Sequence, residues 1–317
     1  MFNLASLESA AEIVYRAMSQ TPQICWPLLC KRVGTEVWVK HENHTPIGSF
    51  KLRGGITYID ALCSQHPNVK GVIAATRGNH GQSIALSAKR AALDCTIIVP
   101  HKNSHEKNES MYAFGAKLEE HGNDFQDALQ YATQLAVDRK LHFVESYHQN
   151  LVSGVASYAL ELFKAVPDLD ACYVPIGLGS GICGVITARN ALGLKTEIIG
   201  VTAAGAPAYS ISFDSKKTIS TEKVETMADG LACRVPDAEA LKIILAGATR
   251  VITVTDSEIK AAIRHLYTDT HNIAEGAGAA CLAGLIQEAD KMKGRRVAVI
   301  LSGANIDRSV FLEALSA

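Results

Sequence analysis

Residues 172–192 read CYVPIGLGSGICGVITARNAL, and their three parts decide the architecture. The run 172–176 is continuously apolar and β-rich, which suits a strand covered on both faces. The glycines of 177–181 let the backbone turn sharply. Helical patterning then occupies 182–192. A buried strand, a glycine turn and a helix make up the recurring unit of a parallel α/β sheet.

Outward from this stretch the same alternation recurs. The runs 37–39 (VWV), 72–75 (VIAA), 96–99 (TIIV), 198–202 (IIGVT), 251–254 (VITV) and 297–301 (VAVIL) fit buried strands. Helical patterns stand between them, as at 83–93, 124–137 and 258–267. The expected fold is an open, doubly wound α/β protein. Ligands in such sheets bind at the carboxyl ends of strands, where loops enter helix N-termini. Three strand ends carry unusual loops: 76–81 (TRGNHG), 177–181 (GLGSG) and 302–305 (SGAN).

Composition narrows the partners. The chain has 317 residues, with 31 Lys and Arg against 32 Asp and Glu, a net charge of −1. Such a balance gives no general attraction to nucleic acid or to an anionic membrane. The hydrophobic fraction of 48% with 20% charged residues excludes a mainly disordered chain. Eight cysteines are scattered without a Cys-x-x-Cys pair, so they read as reduced and mostly buried thiols of a cytoplasmic protein. The opening stretch lacks a basic start followed by an apolar run, which argues against a signal peptide. No segment approaches the roughly 20 apolar residues of a membrane span.

The loop 177–181 invites an anion. Glycines bring successive N–H groups together, the helix N-terminus adds partial positive charge, and Ser180 adds a hydroxyl, so a phosphate is the natural guest. A tight turn without a ligand is the plain alternative. A dinucleotide fingerprint fits loosely through Gly179, Gly181 and Gly184. Its acidic residue would be Glu197, but this stands before the apolar part of the next strand. No G-x-x-x-x-G-K-[ST] is present.

A second segment, 41–55 (HENHTPIGSFKLRGG), changes the balance. Most lysines are solvated surface charges. Lys51 instead sits between Phe50 and Leu52, after a turn made by Pro46 and Gly48, at the start of a helical stretch. Partial desolvation lowers a lysine toward its neutral, nucleophilic form, the form that makes a Schiff base. An imine-forming lysine plus a phosphate loop is the minimum equipment for pyridoxal 5′-phosphate.

At this point the sequence resembles the fold-type II pyridoxal-phosphate enzymes, in particular their serine/threonine dehydratase and serine racemase branch. The motifs that carry the resemblance are 49–54 (SFKLRG), 78–82 (GNHGQ), the glycine loop, 275–279 (EGAGA) and 302–305 (SGAN). They stand in the family's order over residues 21–307. The resemblance implies two doubly wound α/β domains with the active site in the cleft between them. Residues 1–66 with 150–317 would form the large domain and 67–149 the small mobile one.

It also implies roles. Lys51 would carry pyridoxal 5′-phosphate as an imine and remove the substrate Cα proton. Gly177, Leu178, Gly179, Ser180 and Gly181 would cradle the phosphate, and Phe50 would pack beside the ring. Asn79 would face the ring's phenolic oxygen. Ser302 would hydrogen-bond the pyridine nitrogen, a neutral partner that favours elimination. Ser49, Thr76, Arg77, Asn79 and His80 would contact the substrate, with its α-carboxylate at the turn around Asn79 and His80. The implied reaction converts a β-hydroxy amino acid (L-threonine, L-serine or a 3-hydroxyaspartate-like acid) to a 2-oxo acid and ammonia. A homodimer or higher homo-oligomer is implied as well.

Two departures matter. Related racemases carry a serine where this chain has Arg77, and an arginine exchanges protons poorly, so racemisation is disfavoured. Arg77 is either a structural residue bonded to local carbonyls or a bidentate partner for a carboxylate, in which case the substrate is a 3-hydroxyaspartate-like acid. Some family members also hold a divalent cation after the strand that here reads 198–202. The matching stretch 202–208 (TAAGAPA) has no carboxylate, so no metal is expected there. The pairs His41 with His44 and His101 with His105 read as surface or loop residues, whereas His80 falls near the cofactor. Tyr147, Tyr158 and Tyr209 are candidate pocket residues, with a role as packed aromatics the plainer reading.

Alternatives from other classes stay open. A serine racemase or a β-replacement enzyme of the cysteine synthase kind would share the cofactor, although the latter's usual lysine segment differs from 49–54. An inactive cofactor-binding regulator is the non-enzyme reading, against which Lys51, Asn79 and Ser302 speak. Residues 308–317 are all that follows the resemblance, so no C-terminal regulatory domain is expected.

Overall fold

The apolar runs become strands in the computed structural model, which describes residues 2–316. In chain order, helix α1 (Leu4–Tyr15) leads to strand β1 (Gln23–Cys25), α2 (Pro27–Val33), β2 (Glu36–His41) and α3 (Lys51–Gln65). Next come β3 (Gly71–Ala75), α4 (Asn79–Arg90), β4 (Asp94–Val99), α5 (His105–Ala113), β5 (Lys117–Glu120), α6 (Phe125–Asp138) and β6 (His142–Phe143). Then follow α7 (Gln149–Ala165), β7 (Ala171–Pro175), α8 (Ser180–Ala191), β8 (Glu197–Ala203), α9 (Ala208–Ser215), α10 (Ala238–Gly247) and β9 (Arg250–Val254). The chain closes with α11 (Asp256–Thr270), α12 (Gly276–Gln287), α13 (Ala289–Met292), β10 (Arg296–Leu301) and α14 (Arg308–Ser316).

Two sheets result. One has six strands in the order β1-β2-β10-β7-β8-β9, and the other has four in the order β5-β4-β3-β6. Every pairing is parallel except β1 with β2. From β7 the chain winds one way through β8 to β9, while β10 lies on the other side of β7. The smaller sheet reverses likewise, β4 and β5 on one side of β3 and β6 on the other. These reversals open crevices at the carboxyl ends of β7 and β10, and of β3. The loops 177–181, 302–305 and 76–81 start at those three ends.

Three strands lie outside the runs read from the sequence. β5 (KLEE) pairs with β4 at the sheet edge, where a buried apolar face is not required. β6 has two residues, and β1 is a three-residue antiparallel edge. His41 also departs from its surface reading. It is fully buried at the end of β2, and its Nε2 accepts the Trp26 Nε1–H at 2.9 Å. Burial first, then His44, lowers it to about 4. Five of the eight cysteines are buried, whereas Cys25, Cys30 and Cys63 are half-buried.

The helices that carry the site are packed at backbone distance. A Cβ on Gly154 of α7 would fall 2.3 Å from the Arg53 carbonyl on α3, and one on Gly184 of α8 would fall 3.0 Å from the Ala156 amide of α7. Beneath this contact lies a buried charge network. The Arg53 guanidinium bonds Glu42 at 2.7 Å and Glu161 at 2.6 Å, and Lys40 bonds Glu161 at 2.5 Å. Two cations and two carboxylates balance, and Thr21 and Ser157 complete the hydrogen bonds. Buried charges survive only when paired this fully. The network fixes α3 against β2 and α7, and α3 begins at Lys51.

Candidate active site

Lys51 opens α3 directly after Phe50, whose amide bonds the Ser302 carbonyl at 3.0 Å. The Ser49 hydroxyl accepts the Lys51 amide at 3.3 Å, so it caps the helix start. Ser49 is itself fixed by Thr45 and by a bridge to Gly303. The backbone of 49–50 is thereby tied to the loop after β10. From this base the Lys51 side chain reaches the glycine loop, where Nζ donates to Ser180 Oγ at 3.1 Å. The amine also lies 5.2 Å from the Phe50 ring centre. Lys51 is half-buried as a whole, but protein surrounds its amine. Burial lowers it to about 8, partly opposed by the carboxylate of Glu275.

The glycine loop is shaped by its own crowding. A Cβ on Gly177 would stand 2.2 Å from the Gly230 carbonyl. Gly179 has φ of +102° and would meet Ala240 at 2.6 Å. Gly181 is different, since its Cβ would make an ordinary 3.5 Å contact with Phe50. Two tyrosines hold the loop from behind: Tyr209 donates to the Leu178 carbonyl at 2.9 Å and Tyr158 to the Gly181 carbonyl at 3.3 Å. Tyr158 also meets Phe50 edge to face. The first N–H groups of α8 have no intrahelical acceptor, so they are available to an anion.

At the end of β3, the Thr76 hydroxyl accepts the amides of Gly78 at 2.9 Å and Gly81 at 3.3 Å. Thr76 therefore shapes the turn that starts α4. Asn79 is clamped at both ends of its amide: Nδ2 donates to Glu275 Oε1 at 2.6 Å, and Oδ1 accepts from Asn305 Nδ2 at 2.7 Å. His80 is buried, and its Nε2 has no partner among the described residues. Burial and then Lys51 lower it to about 3, so it stays neutral. Arg77 is neither bonded to local carbonyls nor free, because Nη2 lies 3.3 Å from Asp229 Oδ1.

The structure thus joins Lys51 to Ser180, sets His80 near the amine, ties the Ser302 carbonyl to Phe50, and holds Asn79 between Glu275 and Asn305. It adds Glu275, Asn305 and Asp229, which the sequence did not place there, and it sets the candidate pocket residues Tyr158 and Tyr209 behind the glycine loop. Glu275 and Asn305 stood inside quoted motifs, and only the cross-chain contact to Asn79 reveals their task. Glu275 is deeply buried, which raises its pKa against the pull of Lys107 and Asn79. Glu197, the residue weighed as a ribose ligand, instead pairs with Arg250 and Arg295. Among the described residues no cluster of three or more His, Cys, Asp or Glu could hold a metal ion, and no helix is long and apolar enough to cross a membrane.

These residues suit pyridoxal phosphate: a lysine lowered toward neutrality, an anion cradle with no room for a side chain at Gly177 or Gly179, and an orphaned buried imidazole nitrogen beside them. Comparison with known proteins agrees. The L-threonine dehydratase (biosynthetic) of Haemophilus influenzae is 30% identical over 297 residues, covering 93% of this chain and 58% of that protein. The chain therefore spans under two thirds of that relative's length. The L-threonine ammonia-lyase of Thermotoga maritima is 30% identical over 308 residues, 97% of this chain and 76% of that one. The processed threonine deaminase isoform 2 of Solanum lycopersicum superposes with a TM-score of 0.91 at 27% identity, covering 99% of this chain and 94% of that one. A family model described as pyridoxal-phosphate dependent enzyme matches residues 14–303, a span that takes in the lysine and all three loops. The chain belongs to this pyridoxal-phosphate-dependent family, in its serine/threonine dehydratase branch.

Proposed function

We propose that the protein is a pyridoxal-phosphate-dependent ammonia-lyase that converts a β-hydroxy amino acid of the serine/threonine type to a 2-oxo acid and ammonia. The observation that carries this reading is the Lys51 amine, lowered to about 8 and held 3.1 Å from Ser180 at the mouth of an anion cradle. Bound pyridoxal phosphate supplies the electron sink that makes the Cα proton of an amino acid removable.

The chain's own residues do the rest. Lys51 would hold the cofactor, and its amine is placed to take the Cα proton of a bound amino acid as a general base. The N–H groups of 178–181 and the Ser180 hydroxyl hold the phosphate, aided by the α8 N-terminus. Ser302 would partner the pyridine nitrogen. The N-terminal turn of α4 holds the α-carboxylate, with its backbone set by Thr76. Neutral His80 adds no charge there. Asn79, clamped by Glu275 and Asn305, would face the ring's phenolic oxygen in a fixed orientation. Water leaves across Cα and Cβ, and its return on hydrolysis releases ammonia.

Residues 67–149 include the whole four-stranded sheet and form the unit that would close over the substrate. Racemisation is disfavoured because the position opposite Lys51 in racemases is Arg77 here, tied to Asp229. The test is an assay of cofactor-loaded enzyme with L-serine and L-threonine, following 2-oxo acid, ammonia and the D-isomer. Equal amounts of oxo acid and ammonia without D-isomer are expected. D-isomer as the main product, or turnover only when a thiol acceptor is supplied, would assign the chain to another reaction.

A further inference from the structure

Three charged groups at the cleft have no part in the chemistry above. Arg77 Nη2 lies 3.3 Å from Asp229 Oδ1, and Lys107 Nζ lies 3.1 Å from Asp229 Oδ2. Both cations belong to the layer of the four-stranded sheet, Arg77 at the end of β3 and Lys107 on α5. The carboxylate comes from the short turn Asp229–Leu231. That turn is part of the site, because the Gly230 carbonyl crowds Gly177 and Gly230 in turn crowds Ala277.

We infer that Arg77 and Lys107 form a second anion subsite, occupied by Asp229 until substrate arrives, and that the preferred substrate is a β-hydroxy amino acid bearing a second carboxylate. The inference rests on the dehydratase reading and deepens it. Its first support is placement. Arg77 immediately precedes Gly78, Asn79 and His80, the turn assigned to the α-carboxylate. Lys107 lies against the same turn, since a Cβ on Gly78 would stand 2.6 Å from its Cδ.

The second support is the state of the groups. Arg77 is 43% exposed and its ion pair is a single long contact, although a guanidinium offers five donors. Apart from that contact the guanidinium has no bonding partner among the described residues, so it can take a second carboxylate bidentately. Exposed pairs of this kind contribute little, so Arg77 holds Asp229 weakly, and the nearly buried Lys107 is its closer partner. Lys107 is firmly cationic: burial works against its charge, but Glu275 and Asp229 raise it. Exchanging the carboxylate of Asp229 for that of the substrate keeps the charge of the subsite constant.

Glu275 and Asp307 also act on Lys107, so its charge is already balanced and Arg77 is the group free to select the ligand. A distal carboxylate can engage the rest of the Arg77 fork, whereas a plain serine or threonine leaves Arg77 on Asp229.

The test uses the cofactor-loaded enzyme, its Arg77→Ala and Asp229→Asn variants, and two non-reacting acids of equal length, succinate and butyrate. In the wild type, kcat/KM for 3-hydroxyaspartate should exceed that for L-serine. In Arg77→Ala the loss on 3-hydroxyaspartate should exceed the loss on serine by about tenfold or more, with succinate inhibition weakened by a similar factor relative to butyrate. Asp229→Asn should tighten succinate, because the competing carboxylate is gone. Equal losses on both substrates with weaker binding of both acids would make the cluster a structural latch and overturn the inference. If no amino acid is turned over, the dehydratase reading fails, and the ratio of succinate to butyrate binding still decides the subsite.

Discussion

The amine of Lys51, the first residue of α3, donates to the hydroxyl of Ser180, the first residue of α8, across 3.1 Å. A nucleophile and an anion cradle meet there although 129 residues separate them in the chain. The contact brings the amine proposed to hold the cofactor beside the loop proposed to hold its phosphate.

The first prediction concerns pH. With an amine at about 8 in place of 10.5, about one molecule in ten is neutral at pH 7, against about one in three thousand for a free lysine. The rate at which apoenzyme captures pyridoxal phosphate should rise through pH 8 and then level off. Stopped-flow absorbance checks this, and a rate still climbing toward pH 10.5 would oppose it. Stability follows the same shift. Between about 8 and 10.5 the unfolded chain keeps the proton that the folded apoenzyme has lost, so apoenzyme stability should increase with pH across that window.

Glu275 holds the Lys51 amine up, because its carboxylate favours the ammonium form. Glu275→Gln removes that charge and keeps a hydrogen-bonding group for Asn79. The midpoint of the capture profile should move below 8. An unchanged midpoint would mean that Glu275 acts on Asn79 alone.

Arg53 tests the foundation of α3. Arg53→Met leaves Glu42 and Glu161 buried with Lys40 as their remaining cation, and should cost about 3–5 kcal/mol in denaturant unfolding. A loss under about 1 kcal/mol would show that the network is replaceable by packing.

The glycines of the loop should differ among themselves. Gly177→Ala meets a carbonyl at 2.2 Å, and Gly179→Ala adds strain at φ of +102°, so both should weaken cofactor binding and lower stability. Gly181→Ala meets only an ordinary contact at 3.5 Å, so its stability should stay within about 0.5 kcal/mol. Denaturant unfolding of the three apoenzymes separates these cases, and equal losses would mean that the crowding is relieved elsewhere.

How far the sequence carried follows from the range of each signal. The strands β7 and β10 were legible because a both-faces-buried strand must be apolar throughout, and the loops after them because only glycine or small residues fit. Lys51 stood out between Phe50 and Leu52 for a similarly local reason. β5 was hidden because an edge strand such as KLEE needs no apolar face. His41 was hidden because its partner is Trp26, on a strand end that only the antiparallel β1 brings near. Arg53 with Glu161 and Asn79 with Glu275 are pairs separated by 108 and 196 residues, and no local pattern announces them. Arg77 was noticed as a departure, but its partner Asp229 belongs to a turn with no periodicity to mark it.

The central claim is that Lys51 is the residue that binds the cofactor. The direct measurement is borohydride reduction of the cofactor-loaded protein, followed by peptide mass mapping. The account predicts one pyridoxyl group per chain, on the peptide containing Lys51, and none in Lys51→Ala. A label on another lysine, or an undiminished label in Lys51→Ala, would contradict it.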